Sequence, residues 1–356
     1  MRVQRRILEH NCTFQSFFMN IGLATDDDLK TRSRYFVTGG AGFIGSNVVD
    51  ALLSHGHEVY TIDDLSTGSF GNLHLANQSR KHHFYRRNVL DFDWDNHLQV
   101  GDHIIHLAAA VGVDYVTKNP LFTSRNNLDV TQLVLDKCRE YRCGLVFAST
   151  SEVYGNHDRQ FSAEEDVLCL HVQHGGRSAY TLSKLYGEFL CQQYAQKYGL
   201  QTTTLRLFNT VGTRQRKDFG MVVPRFIHQA LQNEPMVVYG DGSQTRSFCH
   251  ISDTVRAICQ LSHANTSRGE IYNVGNNASI TVLELARYIK YITNSESEIS
   301  LSSFPSSREG DKDIKNRKPN ISKIMRDFCW QPEISWQEAI SEIAVTMKQE
   351  EILKYA

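Results

Sequence analysis

The sequence predicts an α/β fold, a doubly wound parallel sheet followed by a smaller C-terminal α/β unit, on three observations. A β-rich run, Tyr35-Phe36-Val37-Thr38, leads straight into the loop Gly39-Gly40-Ala41-Gly42-Phe43-Ile44-Gly45. Short β-branched runs then alternate with helical stretches as far as residue 207, the pattern of strands joined by crossover helices. Beyond Phe208 the alternation weakens, and Gly, Asp and Arg recur in short clusters that suit loops closing over a ligand.

In chain order, residues 1–33 carry a basic start, an aromatic patch and an acidic run without sustained periodicity, and are expected to form an extension outside the core fold. The first strand and the glycine loop open a helix through Val48, Val49, Leu52 and Leu53; a second strand over 58–62 ends at Asp63-Asp64. Runs at 103–107, 145–148 and 203–207 supply further buried strands, and helices are expected near 121–140 and 179–198. Such an order implies a sheet covered on both faces. The division expected is a dinucleotide-binding domain over 34–207, with a returning segment near 247–280, and a ligand-binding domain from 208–246 and 281–356.

Composition narrows the function. With Lys+Arg 38 against Asp+Glu 39 and a formal net charge of −1 in 356 residues, no global field recruits nucleic acid or an anionic membrane. No apolar stretch is long enough to span a bilayer and the N-terminus lacks a signal-like apolar core, so a soluble, cytoplasmic protein is expected. The eight cysteines form no CxxC pair and read as reduced, mostly buried thiols. His82-His83, and His103 with His106, have no metal-ligand spacing, and no metal is expected.

Gly39, Gly42 and Gly45 have the spacing at which missing Cβ atoms let backbone and a helix N-terminus approach a pyrophosphate. Strand, glycine loop, helix, strand and acid together describe a dinucleotide-binding unit of the Rossmann type. Asp63 at the end of the second strand would accept ribose hydroxyls and repel an added phosphate, selecting NAD over NADP; alternatively Asp63 and Asp64 cap a turn. Tyr180 and Lys184 stand at i and i+4 of one helix face. A lysine ammonium there lowers the pKa of a tyrosine acting as proton acceptor. YxxxK alone is usually a surface pair, but here Ser149-Thr150-Ser151-Glu152-Val153-Tyr154-Gly155 precedes it by about 30 residues in the same fold.

These motifs, with His106–Ala109 (HLAA), Arg206–Asn209 (RLFN) and Gln244–Phe248 (QTRSF), resemble the extended short-chain dehydrogenase/reductases that act as nucleotide-sugar epimerases, dehydratases and decarboxylases. The resemblance runs over roughly 34–345. It implies tightly bound NAD, regenerated each turnover, held along Gly39, Gly42, Phe43, Ile44, Gly45, Asp63, Asp64, Ser66, Thr67 and Gly68. Further cofactor contacts implied are Asn88, Val89, Leu107, Ala108, Ala109 and Asn126, besides Tyr180 and Lys184. It implies a shared first step in which Tyr180 takes the proton of the sugar's 4-hydroxyl as carbon 4 is oxidised, Lys184 tunes Tyr180, and Thr150 holds the oxygen on carbon 4. Asn209, Arg246 and Arg308 match positions that hold the nucleotide diphosphate, where a guanidinium fork suits phosphate; taken alone these arginines read as surface charges. Tyr115 and Tyr239 match substrate-binding positions.

The residues after Thr150 separate the branches. Dehydratases of the group carry Asp-Glu there, whereas Ser151-Glu152 lacks the acid for water loss, and Glu152 is more than a simple 4-epimerase requires. Thr-Ser-Glu resembles the UDP-glucuronate decarboxylases, as does Arg317 in Arg317-Lys318-Pro319, so decarboxylation of UDP-glucuronate to UDP-xylose is the leading expectation. The stretch Ala109-Ala110-Val111-Gly112-Val113 is closer to epimerase-like members and keeps a UDP-sugar 4-epimerase open, with a 4,6-dehydratase behind it. An NAD-binding sensor or scaffold is the alternative from another class; retention of Tyr180, Lys184 and Thr150 speaks against it. The resemblance also implies a homodimer through the helices near 121–140 and 179–198, whose apolar positions Leu128, Leu133, Val134, Leu135, Leu185, Phe189, Leu190 and Tyr194 serve equally well to pack on the subunit's own sheet.

Overall fold

The computed structural model describes residues 33–155, 159–168, 177–215, 221–263, 268–303 and 315–354. Strand β1 (Arg34–Thr38) is buried at every position after the first, as a central parallel strand is when helices cover both faces. It is followed by α1 (Phe43–Ser54), β2 (Glu58–Asp63), β3 (His82–Arg86), β4 (His103–His106), α2 (Val113–Lys118) and α3 (Pro120–Tyr141). Next come β5 (Gly144–Thr150), α4 (Arg177–Tyr198), β6 (Thr202–Leu207), β7 (Thr210–Val211), α5 (Val222–Leu231), β8 (Met236–Tyr239), β9 (Thr245–Ser247) and β10 (Cys249–His250). The chain continues through α6 (Ile251–Ser262), β11 (Glu270–Val274), β12 (Ser279–Thr281), α7 (Val282–Thr293), β13 (Ile299–Ser302), β14 (Asn316–Arg317), α8 (Ser322–Phe328) and α9 (Trp336–Lys354).

The main sheet has seven strands in the order β11-β6-β5-β4-β1-β2-β3, and every neighbouring pair is parallel. The chain runs outward from β1 to β3, then crosses back to build β4, β5, β6 and β11 on the other side. The order reverses between β1 and β4, and it is there, beyond the strand C-termini, that an open α/β sheet leaves a crevice.

Two apolar layers sandwich the sheet. Val48 and Leu52 of α1 pack with Val255 and Ile258 of α6 on one face; Val134 and Leu135 of α3 pack with Leu190 and Cys191 of α4 on the other. Helix α3 starts with Pro120 at its first turn, where the missing N–H costs nothing, and stops at Arg142, whose φ of 53° ends the helical repeat. A third core joins α5, α7 and α9 to Met236 and Val238 of β8.

The structure departs from the sequence reading in two strands and one surface. β3 (His-His-Phe-Tyr-Arg) and β11 carry no apolar run that announces them; both are edge strands, and β3 is partly buried at its first four positions and exposed at Arg86. Of the apolar positions on the two long helices, Val134, Leu135 and Leu190 are consumed by the subunit's own core, while Leu121, Phe122, Leu182, Tyr186 and Phe189 are exposed. Cys138, Cys143, Cys191, Cys249 and Cys259 are buried free thiols and Cys329 is exposed. Among the described residues no helix is long and apolar enough to cross a membrane, and no cluster of His, Cys, Asp or Glu is arranged to hold a metal ion.

Candidate active site

A cleft of about 510 Å³ opens at the point where the sheet order reverses. Its floor is the glycine loop after β1. Gly39 has φ +71°, and a Cβ there would come within 2.8 Å of the Ala108 backbone nitrogen; one at Gly45 would come within 2.2 Å of the Gly39 carbonyl oxygen. The loops after β1 and β4 therefore touch, with only hydrogen atoms between them. Gly42 caps α1 without a side-chain hydrogen bond, so no capping side chain covers the first helical turn, whose residues Phe43, Ile44 and Gly45 line the cleft.

Asp63 ends β2 in the cleft wall and is buried. Its Oδ2 accepts the Ala41 N–H at 2.9 Å and its Oδ1 the Leu65 N–H at 2.8 Å. Burial raises its pKa above the ordinary carboxylate range, and those two N–H groups pull it back. Of the other residues expected along a cofactor, Gly39, Gly42, Phe43, Ile44, Gly45, Thr67, Leu107, Ala108 and Ala109 line this same cleft.

Six lie off its lining. Asp64 accepts the Ser66 N–H at 2.9 Å, holding both residues in the turn after β2. Gly68 packs over the Asp63 carboxylate. Asn88 caps a short 3₁₀ turn by accepting from Leu90, and Val89 behind it is buried in the core. Asn126 is partly buried on α3; its neighbour Asn127 accepts the Ala110 N–H on Oδ1 at 2.7 Å and donates from its amide to Ser183 at 3.2 Å.

The reactive side chains gather at the C-terminal end of β5. Thr150 is its last residue, and Ser151 and Glu152 follow in a 3₁₀ turn where the Thr150 hydroxyl accepts the Glu152 N–H at 3.2 Å. Tyr180 on α4 hydrogen-bonds Thr150; burial raises its pKa above the ordinary phenol value, the charge of Glu152 adds to that, and the Thr150 hydrogen bond opposes it. Lys184, one turn on, donates to the Ala148 carbonyl at 2.8 Å, and its Nζ lies 6.0 Å from the centre of the Tyr180 ring. Desolvation pushes Lys184 down to about 8. Positive charge added to the cleft would lower Tyr180 from this starting point.

Arg317 enters from the far wall. Its Nη1 stands 3.6 Å from Glu152 Oε1, and its strand β14 lies parallel to β9 with Arg317 paired to Arg246. Both arginines and Asn209 line the cleft; Asn209 donates to the Ser247 carbonyl at 3.1 Å. Tyr115 is off the lining, exposed and edge-on to Phe122, and Tyr239 lies against the Arg225 guanidinium. Arg308, like Cys12, Cys169 and residues 1–32, lies outside the described residues.

The family model "NAD dependent epimerase/dehydratase family" matches residues 35–275. The chain belongs to this family. Among its relatives, UDP-glucuronic acid decarboxylase 1 of Xenopus tropicalis is 34% identical over 314 residues, 88% of this chain and 72% of that protein. A UDP-N-acetyl-alpha-D-glucosaminuronate decarboxylase of Bacillus cytotoxicus is 33% identical over 326 residues, 87% of this chain and 96% of that protein. A crystal structure of UDP-glucuronic acid 4-epimerase from Bacillus cereus in complex with NAD superposes with a TM-score of 0.78 at 28% identity, covering 89% of this chain and 99% of that one.

The residues present fit the family's dinucleotide. The side-chain-free floor at Gly39 and Gly45, the open N-terminus of α1 and a buried aspartate at the end of β2 form the cradle that a pyrophosphate and a ribose require. Several lining residues were not singled out from sequence: Arg214, Gln215, Met221 and Val223 come from the segment after β7. Arg214 is held by an ion pair to Asp50 of α1 at 2.7 Å. A tertiary contact between distant charges of this kind leaves no local pattern to read.

Proposed function

We propose that this enzyme of the NAD-dependent nucleotide-sugar group decarboxylates UDP-glucuronate to UDP-xylose. The observation that carries the reading is the Glu152–Arg317 pair at 3.6 Å in the wall beside Thr150 and Tyr180, since a guanidinium suits a carboxylate at carbon 5. The decarboxylase relatives support it.

NAD supplies the two-electron acceptor that brings the sugar's carbon 4 to the ketone level and restores it. Tyr180 accepts the proton of the 4-hydroxyl, Lys184 stabilises the phenolate, and Thr150 fixes the oxygen on carbon 4. With a ketone at carbon 4 the substrate is a β-keto acid. The bond between carbon 5 and the carboxylate breaks, carbon dioxide leaves, and the electron pair moves into an enolate whose oxygen is held by Tyr180 and Thr150. Carbon 5 then takes one proton to give the 4-keto pentose, and Tyr180 returns its proton to the oxygen as carbon 4 is reduced back to the alcohol, so the product leaves at the redox level of the substrate. Arg317 orients the carboxylate, Ser151 lines the wall beside it, and Glu152 holds the guanidinium. As a second anion in a poorly hydrated wall, Glu152 also favours departure of the carboxylate as a neutral molecule.

The remaining assignments complete this reading. Residues 34–207 with 247–280 form the NAD-binding half, and 208–246 with 281–356 the sugar-nucleotide half, where Asn209, Arg246 and Arg308 hold the diphosphate. The exposed apolar stripe of α3 and α4 joins two subunits. The free thiols among the described residues suit a reducing compartment, which supports our reading of the cytoplasm as the location.

The test is incubation with UDP-glucuronate and catalytic NAD, with separation of the nucleotide sugars and trapping of carbon dioxide. Carbon dioxide together with a pentose nucleotide is expected. A 4-epimer without carbon dioxide would transfer the assignment to a UDP-sugar 4-epimerase, the reading favoured by Val111 and Gly112 in the cleft lining.

A further inference from the structure

One buried ion pair beside the site has no part in the steps above. Glu188 stands one helical turn beyond Lys184 on α4 and is almost wholly buried. Arg206 of β6 grips it with a fork, Nε to Oε1 at 3.0 Å and Nη2 to Oε2 at 2.8 Å, and the Ser149 hydroxyl donates to Oε1. Three consecutive residues of β5 are thereby tied to positions i, i+4 and i+8 of α4: Thr150 to Tyr180, the Ala148 carbonyl to Lys184, and Ser149 to Glu188.

We propose that Glu188 is a positioning residue for the proton-transfer pair: anchored by Ser149 and Arg206, it keeps α4 in register with β5 and supplies the anionic charge that keeps Lys184 an ammonium in a dry wall. This rests on the roles given to Tyr180 and Lys184 and on neither choice of product.

The other groups facing Lys184 do not supply that charge. His106, from β4, is pushed down to about 3 by burial and is neutral at working pH. Cys191, on α4, is pushed up to about 12 by burial and stays a thiol. Tyr180 sits on the same face of α4, and Glu152 bears on it. Helix α3 presents the uncharged Asn127, bonded to Ser183, and Arg206 lies behind Glu188. Desolvation dominates at Lys184, and Cys191 and then Glu188 oppose it; of these two, the Cys191 thiol stays protonated and Glu188 is the carboxylate.

The experiment compares kcat against pH for the wild type, Glu188→Gln, the paired variant Glu188→Gln with Arg206→Met, and Glu188→Asp. The paired variant leaves no lone buried charge and so keeps the fold even where Glu188→Gln does not; thermal unfolding reports this. Removing the carboxylate should move the alkaline limb down by about one pH unit, the size expected of one charge a helical turn away in a poorly hydrated site, with turnover partly restored at lower pH. Glu188→Asp should keep the limb while kcat falls. A second arm needs no sugar: in the NAD-bound protein, the ultraviolet titration of the Tyr180 phenolate, read as the difference from Tyr180→Phe, should move to higher pH in the paired variant. A folded paired variant with both the limb and the phenolate titration unmoved would overturn the proposal. A wrong choice of substrate would silence the first arm and leave the second intact.

Discussion

Arg317 and Glu152 meet across the cleft, Nη1 to Oε1 at 3.6 Å, although one lies on a two-residue strand near the C-terminal end and the other in the turn after β5. Arg317 is held from behind: its carbonyl accepts the Ser247 hydroxyl at 3.4 Å, and Ser162 donates its N–H to the Lys318 carbonyl at 2.9 Å. The strand that carries Arg317 is therefore anchored through its backbone independently of Glu152. Arg317→Ala should lower carbon dioxide release by about 100-fold, close to 2.7 kcal/mol of transition-state stabilisation, and Glu152→Gln by about tenfold. NAD binding, followed by calorimetry, should be unchanged in both. Turnover within threefold of wild type in both variants would remove the basis for the decarboxylase reading.

Gly45 leaves no room for even one carbon. A Cβ there would stand 2.2 Å from the Gly39 carbonyl oxygen and 2.7 Å from the Gly40 Cα, both backbone atoms that cannot rotate away. Gly45→Ala should open the loop, cost about 1–3 kcal/mol of stability as overpacking does, and weaken NAD binding by 100-fold or more. Gly71→Ala is the control, because its nearest neighbour is the Ser69 side chain at 3.5 Å. Equal NAD affinity in the two variants would mean that the glycine loop is not the pyrophosphate cradle.

Buried histidines give the fold an acid limit. Burial pushes His57, His82 and His103 down to about 4, with neighbouring histidines adding to it, and His106 down to about 3. Unfolded, each takes up a proton near pH 6.5. Between pH 6.5 and about 4 the unfolded chain binds protons that the folded chain refuses, so stability is complete above 6.5 and falls as the pH drops. For the almost fully buried His57 and His106 the slope approaches about 1.4 kcal/mol per pH unit each. Urea midpoints at pH 7.5, 6 and 5 should decline in that order; a midpoint independent of pH would contradict the assignment of these groups as neutral.

How much of this could be read in the sequence follows from the range of each interaction. The unit from β1 to β2 is local: strand, glycine loop, helix and aspartate lie within about 30 residues, and each has a steric or electrostatic reason visible in residue type. Tyr180 and Lys184 are likewise one helical turn apart. The hydrogen bonds of Asn127 to Ala110 and Ser183 are tertiary, and nothing local to the Asn126-Asn127 pair announces them. β3 carries no such signal, because an edge strand partly buried at four positions and exposed at its last needs no apolar alternation. Asp50 with Arg214, and Glu188 with Arg206, are partnerships made by tertiary packing; the sequence shows the charges and not the pairing.

Helix α4 works on two sides. Tyr180 and Lys184 look into the cleft, while Leu182, Tyr186 and Phe189, at i, i+4 and i+7, form an exposed stripe about 200° around the helix from them. Leu121 and Phe122 of α3 are exposed as well, at 86% and 55%, and α3 packs directly on α4. An apolar patch this large on paired helices stays dry when a second copy covers it. Phe189→Glu places a charge in the middle of that patch without touching the cleft. Sedimentation should give two subunits for the wild type and one for the variant at the same concentration. Because the same helix carries Tyr180, the single subunit should also unfold at lower temperature and lose turnover, while its NAD cradle on β1, α1 and β2 keeps its affinity. A wild-type protein that sediments as one subunit at micromolar concentration would rule out the pairing and leave the stripe without a partner of its own kind.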